Sequence, residues 1–442
     1  MTTAPAEPML SEVQARVHDA VLDQACRDLA DGADAACAGR IDLLLGGVPR
    51  ARAPAVLALR LLQGLSRGAL PEARNIAYYL AGGFARAERS GAVAHILERL
   101  ADWPRLPALL APLGVDPGRP DPDGLIGRLA GAAAPTDDPA WHAMPAPPDG
   151  REPPVVVVSL ANGLGNQMFQ YAAALRRARR CSAALRLDLS VFSQEGVDTR
   201  PFALAPFALT ATTASPDELL RTAGRQHEED VVRFDRAIMV GDGDCRLQGC
   251  WTLPIYFRGV EDALRAEFRF RDPAIAARAA ATVAPLRRAG PVVGLHVRRG
   301  DYLAPGYRNS YNAHPSGYYR AALARFPAGS SVIAFSDTPA DRDWCAAEFA
   351  ELGARLIVSR APTDIDDFAL LAACDHQILS VSSFSWWAAW LNPNPAKRIV
   401  AAHPALGLGP KLAHVQLAGR LPAEWTVLSW DDVVAFEAAS DG

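Results

Sequence analysis

Three short segments carry residue types able to bind an anion or a sugar. In His296-Val297-Arg298-Arg299-Gly300-Asp301-Tyr302, two adjacent arginines follow the apolar run PVVGL. Guanidinium forks grip phosphate oxygens in a bidentate way and stay charged at every relevant pH, and Asp301 can hold an arginine in place or bind a hydroxyl. The plain alternative is a salt-bridged surface turn. Ser382-Ser383-Phe384-Ser385-Trp386-Trp387-Ala388-Ala389-Trp390 follows the run QILSV. Serine at a helix start caps the helix and leaves backbone N–H groups pointing outward as an anion site, while at least two of the tryptophans read as core packing. Asn162-Gly163-Leu164-Gly165-Asn166-Gln167 lies between VVVVSL and a helical stretch. Its glycines permit positive φ and close approach of the backbone to a ligand, although such a turn is common as architecture alone and is not the GxGxxG fingerprint.

The elements that must position these segments alternate. VVVVSL, PVVGLHV, SVIAFS, RLIVS, QILSVSS and RIVAA read as buried strands, separated by helical candidates such as SGYYRAALARF, DRDWCAAEFAEL, DIDDFALLAACD and SFSWWAAWL. Short β-branched runs alternating with amphipathic helices predict doubly wound α/β domains, in which ligands bind at the carboxyl ends of the strands. The arginine segment falls at such an end. Residues 1–115 differ, with apolar positions at helical spacing in LSEVQARVHDAVLDQACRDLA, APAVLALRLLQGL and GAVAHILERLADW, which predicts an all-α accessory domain, a bundle or small solenoid. The run Leu43 to Leu45 reads as a helix end. Residues 116–153, dense in Pro, Gly and Asp, read as a linker between independent units, with one short helix around Leu125 to Ala130.

Composition narrows the function classes. A chain of 442 residues with 50% hydrophobic and 21% charged residues is an ordinary multidomain globular protein. A net charge of −4 argues against nucleic-acid binding or a polybasic membrane patch. Lysine occurs only at 397 and 411, so arginine as such means little and only its local setting carries weight. The seven cysteines form no CxxC pair and no cluster with histidine, no HExxH is present, and the DxD triplets at 341–343 and 364–366 read as helix starts. A divalent metal site is therefore not expected, and arginines would neutralise a leaving diphosphate instead. The cysteine usage, and the lack of a basic segment followed by an apolar run or of a long uncharged apolar stretch, predict a cytoplasmic protein. The helical domain reads either as a docking module, for partner proteins or peripherally at an inner membrane, or as a stabilising appendage.

NGLGNQMFQYAAAL, LQGCWTLPIYF, VGLHVRRGDYL, FSDTPADRDWC and SVSSFSWWAAWLN, in this order across residues 155 to 430, resemble the bacterial α-1,2-fucosyltransferases of glycosyltransferase family 11. The resemblance implies a GT-B pair of Rossmann-type domains, 154–290 on the acceptor side and 291–442 on the donor-nucleotide side. It also implies GDP-fucose as donor, a glycan acceptor in a cell-surface polysaccharide, inversion at the anomeric carbon and no metal. Carried over residue by residue, Arg298 and Arg299 would contact the GDP phosphates, with His296 and Asp301 shaping that site. Ser382 and Ser383 would face the nucleotide, Gly165, Asn166 and Gln167 would line the cleft from the other domain, and Ser336 with Asp337 would border the guanosine pocket. Two positions depart from the pattern, Val381 where the family carries Asn and Cys250 where it carries an aromatic residue. The general base is not identified, Asp301 serving equally as base or as a support for the arginines. Another linkage or nucleotide sugar, or a silent nucleotide-sugar or glycan-binding protein, are the alternative readings.

Overall fold

The buried run at 155–158 builds the middle of a parallel sheet because its valines need cover on both faces, which only crossover helices provide. The computed structural model describes residues 12–47, 49–116, 121–142, 153–194, 200–307 and 309–440. Seven helices come first: α1 (Glu12–Ala30), α2 (Asp34–Gly47), α3 (Ala53–Ser66), α4 (Leu70–Gly83), α5 (Arg86–Arg99), α6 (Leu106–Leu110) and α7 (Pro122–Gly131). No strand interrupts them among the described residues, and the apolar run at 43–45 lies within α2. In the Pro/Gly-rich segment, α7 is capped by the Asp121 carboxylate, which accepts from Gly124 N at 2.9 Å. The remaining parts of that segment, 117–120 and 143–152, lie outside the described residues.

The first lobe contains β1 (Val155–Ser159), α8 (Leu164–Arg180), β2 (Ala184–Asp188), β3 (Thr212–Thr213), α9 (Pro216–Thr222), β4 (Gln226–Glu228), α10 (Arg236–Val240) and β5 (Cys245–Gln248). Its parallel sheet runs β3-β2-β1-β5-β4. After α11 (Glu261–Glu267) and α12 (Pro273–Leu286) comes the second lobe, with β6 (Val292–His296), α13 (Ser316–Leu323), β7 (Ser331–Phe335), α14 (Pro339–Glu348), β8 (Leu356–Val358), α15 (Asp364–Ala373), β9 (His376–Leu379), α16 (Ser383–Leu391), β10 (Ile399–Ala402), α17 (Pro404–Gly407), β11 (Thr426–Leu428) and α18 (Trp430–Ser440). Its parallel sheet runs β11-β10-β9-β6-β7-β8. Two Rossmann-type sheets preceded by helices make the GT-B-like arrangement expected from the sequence.

Two cores tie these parts together. Between the lobes, Trp387 on α16 packs on Phe169 of α8 at 4.9 Å, on Phe257 at 5.3 Å and on Phe268 at 5.2 Å between ring centroids. All three tryptophans of α16 are buried, as core packing requires. The helices, for their part, share a core with Ala405, Leu408, Ala413 and Leu417 of the second lobe, and Tyr311 and Val381 pack against it. Polar ties follow: Asn75 Nδ2 donates to the carbonyls of Val232 at 2.7 Å and His414 at 2.9 Å, and the Tyr79 hydroxyl donates to Leu408 O at 2.7 Å.

Candidate active site

The loop after β6 is built around Arg298. Its Nε and Nη2 donate to the two oxygens of Asp301 at 3.0 and 2.7 Å, and Nη1 pairs with Asp337 at 3.0 Å. Asp337 comes from the end of β7, the strand beside β6, so adjacent carboxyl ends supply both partners. Burial works against the Arg298 charge, but the bonds to Asp301 and the field of Asp337 hold its pKa above the ordinary value. Among the described residues, one N–H each on Nη1 and Nη2 has no further acceptor. Both Asp301 oxygens are occupied by Arg298, so this carboxylate orients the guanidinium.

Arg299 turns away from its neighbour. Its guanidinium lies over the Trp344 ring at 4.1 Å, and its Nε is 3.6 Å from an oxygen of Asp341. The second oxygen of Asp341 accepts from Gly300 N at 2.8 Å, and Thr338 caps α14 by accepting from Asp341 N at 3.1 Å. The acidic triplet read as a helix start is one, and it also anchors the arginine turn through a carboxylate only 5% exposed. The paired arginines are thus not a symmetric clamp: Arg298 faces Asp301 and Asp337, Arg299 packs into the second lobe.

Beside this loop, β9 leads into α16. His296 Nδ1 is hydrogen-bonded to the Ser380 hydroxyl at 2.7 Å, and its ring stacks on Phe384 at 5.7 Å. Complete burial, with Arg298 and His314 nearby, pushes the His296 pKa down to about 3, so the imidazole is neutral. Tyr302, under the Arg298 guanidinium at 5.4 Å, donates its hydroxyl to Val381 O at 3.0 Å and ties the arginine loop to the start of α16. Val381 N in turn donates to Nε2 of buried His314 at 2.9 Å. Ser382 occupies the N-cap position with extended φ −148° and ψ 130°, yet its hydroxyl makes no cap bond, contrary to the expectation that serine caps this helix. The first N–H groups of α16 are thus without a side-chain cap from Ser382.

Across from them stands the start of α8. A Cβ on Gly165 would sit 2.5 Å from Phe384 N and Ser383 O, so its hydrogen is needed where two helix N-termini meet. The expectation for this turn is corrected in detail: Asn162 takes positive φ (65°), whereas Gly163 stays at −81° and Gly165 serves helix contact between lobes. Asn166 is half-buried beside this contact. Gln167 is fully buried and fully engaged, donating to Asn162 O at 2.8 Å and Pro201 O at 2.9 Å and accepting from Ala203 N at 2.9 Å. It holds the cleft loops rather than lining open space. Ser336 is likewise buried, and only Asp337 of that pair reaches the Arg298 cluster.

Two charged residues not foreseen lie beside Cys250. Glu229, after β4, accepts from Cys250 N at 2.6 Å and Trp251 N at 3.0 Å. Arg420 lies half-buried near Glu229 and Cys250, its Nε on Gln416 O at 2.9 Å and with no salt bridge among the described residues. Burial lowers the Arg420 pKa, partly offset by Glu229, Cys250, Tyr311 and Tyr78 around it. Nothing in the spacing of either residue signals a site; Glu229 stands in a run of three acidic residues, Glu228 to Asp230, ahead of two valines. The Cys250 thiol is pushed up to about 11 by burial and by Glu229, which leaves it protonated. Among the described residues no group of three or more His, Cys, Asp or Glu could hold a metal ion, and no helix is long and apolar enough to cross a membrane. A cavity of about 560 Å³ lies elsewhere, between Arg74, the 132–139 segment, Trp141 and Arg236, and contains none of the site residues predicted from sequence.

Comparison with known proteins places this geometry. Galactoside alpha-(1,2)-fucosyltransferase 1 of Plecturocebus brunneus is 30% identical over 241 residues, 51% of this chain and 62% of the relative. The Homo sapiens protein of the same name is 28% identical over 241 residues with the same coverage, so the chain spans about three fifths of the length of these relatives. Among solved structures, NodZ alpha-1,6-fucosyltransferase co-crystallized with GDP has a TM-score of 0.37 and 17% identity, covering 56% of this chain and 94% of the other. POFUT1 in complex with GDP has a TM-score of 0.37 and 12% identity, covering 56% and 98%. The family described as Glycosyl transferase family 11 matches residues 155–406, which include the arginine loop, the facing starts of α8 and α16, and Glu229. The chain belongs to glycosyl transferase family 11.

Proposed function

We propose that the protein transfers L-fucose from GDP-fucose to the hydroxyl of a glycan acceptor, the 2-OH of a galactoside, by a single inverting displacement without a metal ion. Family membership and relatives named for fucosyl transfer to galactosides support the chemistry. The observation that carries it is the pairing of Arg298, with N–H groups to spare, and the uncapped start of α16. Guanidinium N–H groups and uncapped helix N–H groups together suit a diphosphate whose charge grows as it leaves. Arg298 then contacts the diphosphate directly, Asp301 and Asp337 hold it in register, and Arg299 shapes the loop from behind. Ser382 and Ser383 face the nucleotide from α16, and Asn166 lies on the acceptor side.

In this reading residues 154–290 hold the acceptor, 291–442 the donor, and the helices support both. The acceptor belongs to a cell-surface glycan completed on the cytoplasmic side of a bacterial inner membrane. The test is release of GDP from GDP-fucose by the purified protein in EDTA, with and without galactose-terminated acceptors, followed by linkage analysis. Acceptor-dependent release giving an α-1,2 product is the expected result. Release that needs a divalent cation, or none with any acceptor, would overturn it.

A further inference from the structure

We propose that Glu229 is the general base that takes the proton from the acceptor hydroxyl, an inference that rests on the transfer reaction proposed above. The transfer needs a carboxylate or imidazole on the acceptor side, and the obvious candidates are engaged elsewhere. Asp301 gives both oxygens to Arg298, and Asp337 pairs with the same guanidinium. Asp341 is held by Gly300 N and Arg299. His296 is sealed in the second lobe with a pKa near 3, far too weak a base near neutral pH.

Glu229 is placed differently. It follows β4 at the carboxyl edge of the first sheet, beside the ends of β5 and β1, where Asn162 Nδ2 is 3.8 Å from Cys250 Sγ. One oxygen, Oε2, is fixed by the N–H groups of Cys250 and Trp251, while Oε1 has no hydrogen-bond partner among the described residues. The backbone is shaped to this purpose at some cost. Any side chain on Gly249 would overlap the Glu229 Cβ, and its Cβ would sit 2.9 Å from Oε2. Trp251, a bulky residue, is held at φ 53°, in the strained left-handed region. Such strain persists where the surroundings over-determine it, and here it aims two N–H groups at one carboxylate oxygen.

From Glu229 the cleft wall continues to the donor side. Cys250 and Arg420 neighbour Tyr311, which stacks on Tyr302 at 4.7 Å, and Tyr302 lies under Arg298. An acceptor sugar between these walls puts its hydroxyl between the free Oε1 and the anomeric carbon of the donor. The step balances as follows: the hydroxyl proton goes to Oε1, the oxygen forms the new bond to the anomeric carbon, and the bond from that carbon to the phosphate oxygen breaks with its electron pair leaving on GDP. The proton then passes to water. Arg420 lies near enough to Glu229 for the two charges to attract, and it forms no salt bridge among the described residues.

Glu229→Gln tests this, because an amide oxygen still accepts from both N–H groups and preserves the turn. Wild type and variant are compared for kcat, acceptor KM, GDP-fucose dissociation constant and melting temperature. The expected result is a kcat lower by about 10²- to 10⁴-fold with donor affinity, acceptor KM and melting temperature unchanged within about threefold or a few degrees. A variant that keeps kcat within threefold overturns the assignment. So does a loss of kcat matched by equal losses of donor affinity or thermal stability, which marks Glu229 as a support for the turn. A wild type that releases no GDP from GDP-fucose sinks the underlying reaction instead, a different outcome.

Discussion

Arg298 holds Asp301 in both arms of its guanidinium fork, Nε at 3.0 Å and Nη2 at 2.7 Å, while its Nη1 reaches Asp337 on the neighbouring strand end. This fixes the orientation of the arginine before any ligand arrives, so little reorganisation is needed when charge develops on a leaving diphosphate. Arg298→Ala is expected to lower kcat/KM by about 10² to 10³-fold, as removal of a preorganised charge-stabilising donor does elsewhere. Arg298→Lys should recover little, because an ammonium cannot hold Asp301 bidentately and still reach Asp337. Steady-state GDP release checks both; a lysine variant near wild-type activity would show that point charge suffices.

The asymmetry of the arginine pair gives a second expectation. Arg299 works through Asp341 and Trp344, so Asp341→Asn should disturb activity by freeing the Gly300 turn and leaving Arg299 less well paired. Removing one partner of a buried charged contact costs about 1–3 kcal/mol, more for a fully buried charge. Chemical denaturation should show that loss, and Arg299→Ala should show a comparable one. If Arg299→Ala instead leaves stability intact while abolishing GDP binding, Arg299 touches the diphosphate after all.

How much of this was readable from the sequence depends on the range of the interaction. β1, β6, β7, β9 and β10 announce themselves because a doubly covered strand must be a continuous β-branched run, and the arginine and serine segments follow directly from two of those runs. β11 and the short strands β3 and β4 escape, since two or three mostly exposed residues carry no period. The pairing of Arg298 with Asp337 follows from the adjacency of β6 and β7, which no local pattern states. Glu229 and Arg420 meet only because the lobes close on one another. The uncapped Ser382 was misread because its residue type fits a cap, whereas the hydroxyl is free only in the folded geometry.

The contact of Gly165 with Ser383 and Phe384 predicts opposite outcomes for two glycines in helices. Gly165→Ala places a methyl against backbone that cannot yield, so the lobes must separate; about 1–3 kcal/mol of stability should go, with a drop in activity. Gly127 in α7 is exposed with nothing near its missing Cβ, so Gly127→Ala should stabilise by roughly 0.5–1 kcal/mol through lost backbone entropy in the unfolded chain. Thermal melts of the two variants side by side decide this. Equal melting temperatures would mean that the lobes do not rest on Gly165.

Acid should weaken the fold through its buried histidines. His296 and His314 have pKa values lowered to about 3 by burial, and His403 to about 4, against an ordinary 6.5. With the folded pKa depressed, the unfolded chain binds more protons between pH 6.5 and about 3. Stability is therefore full above pH 6.5 and falls as pH drops through that window, by on the order of 2 kcal/mol per histidine at pH 5. Urea midpoints at pH 7 and 5 should show the fall, and His403→Gln should reduce it. A midpoint unchanged between those pH values would mean these imidazoles are reached by water.

The helices in front of the two lobes bear on the site as well as on stability. Their core includes Ala405, Leu408, Ala413 and Leu417, and Tyr311 and Val381, both beside the arginine loop, pack against it. Deleting residues 1–131 strips that cover and leaves the carbonyls of Val232, His414 and Leu408 without the donors supplied by Asn75 and Tyr79. The newly exposed apolar face is the main loss, since the freed carbonyls meet water and Leu408 O keeps the Asn312 Nδ2 donor at 3.3 Å. The truncated chain is expected to aggregate or to melt far below the full-length protein, and to lose transfer activity in any soluble fraction. Asn75→Ala, which removes two of these donors with one substitution, should give a milder loss of a few kcal/mol in denaturant titration. A truncated protein that stays monomeric, stable and fully active would instead make the helices a detachable module, and would mean that Tyr311 and Val381 hold their places without them.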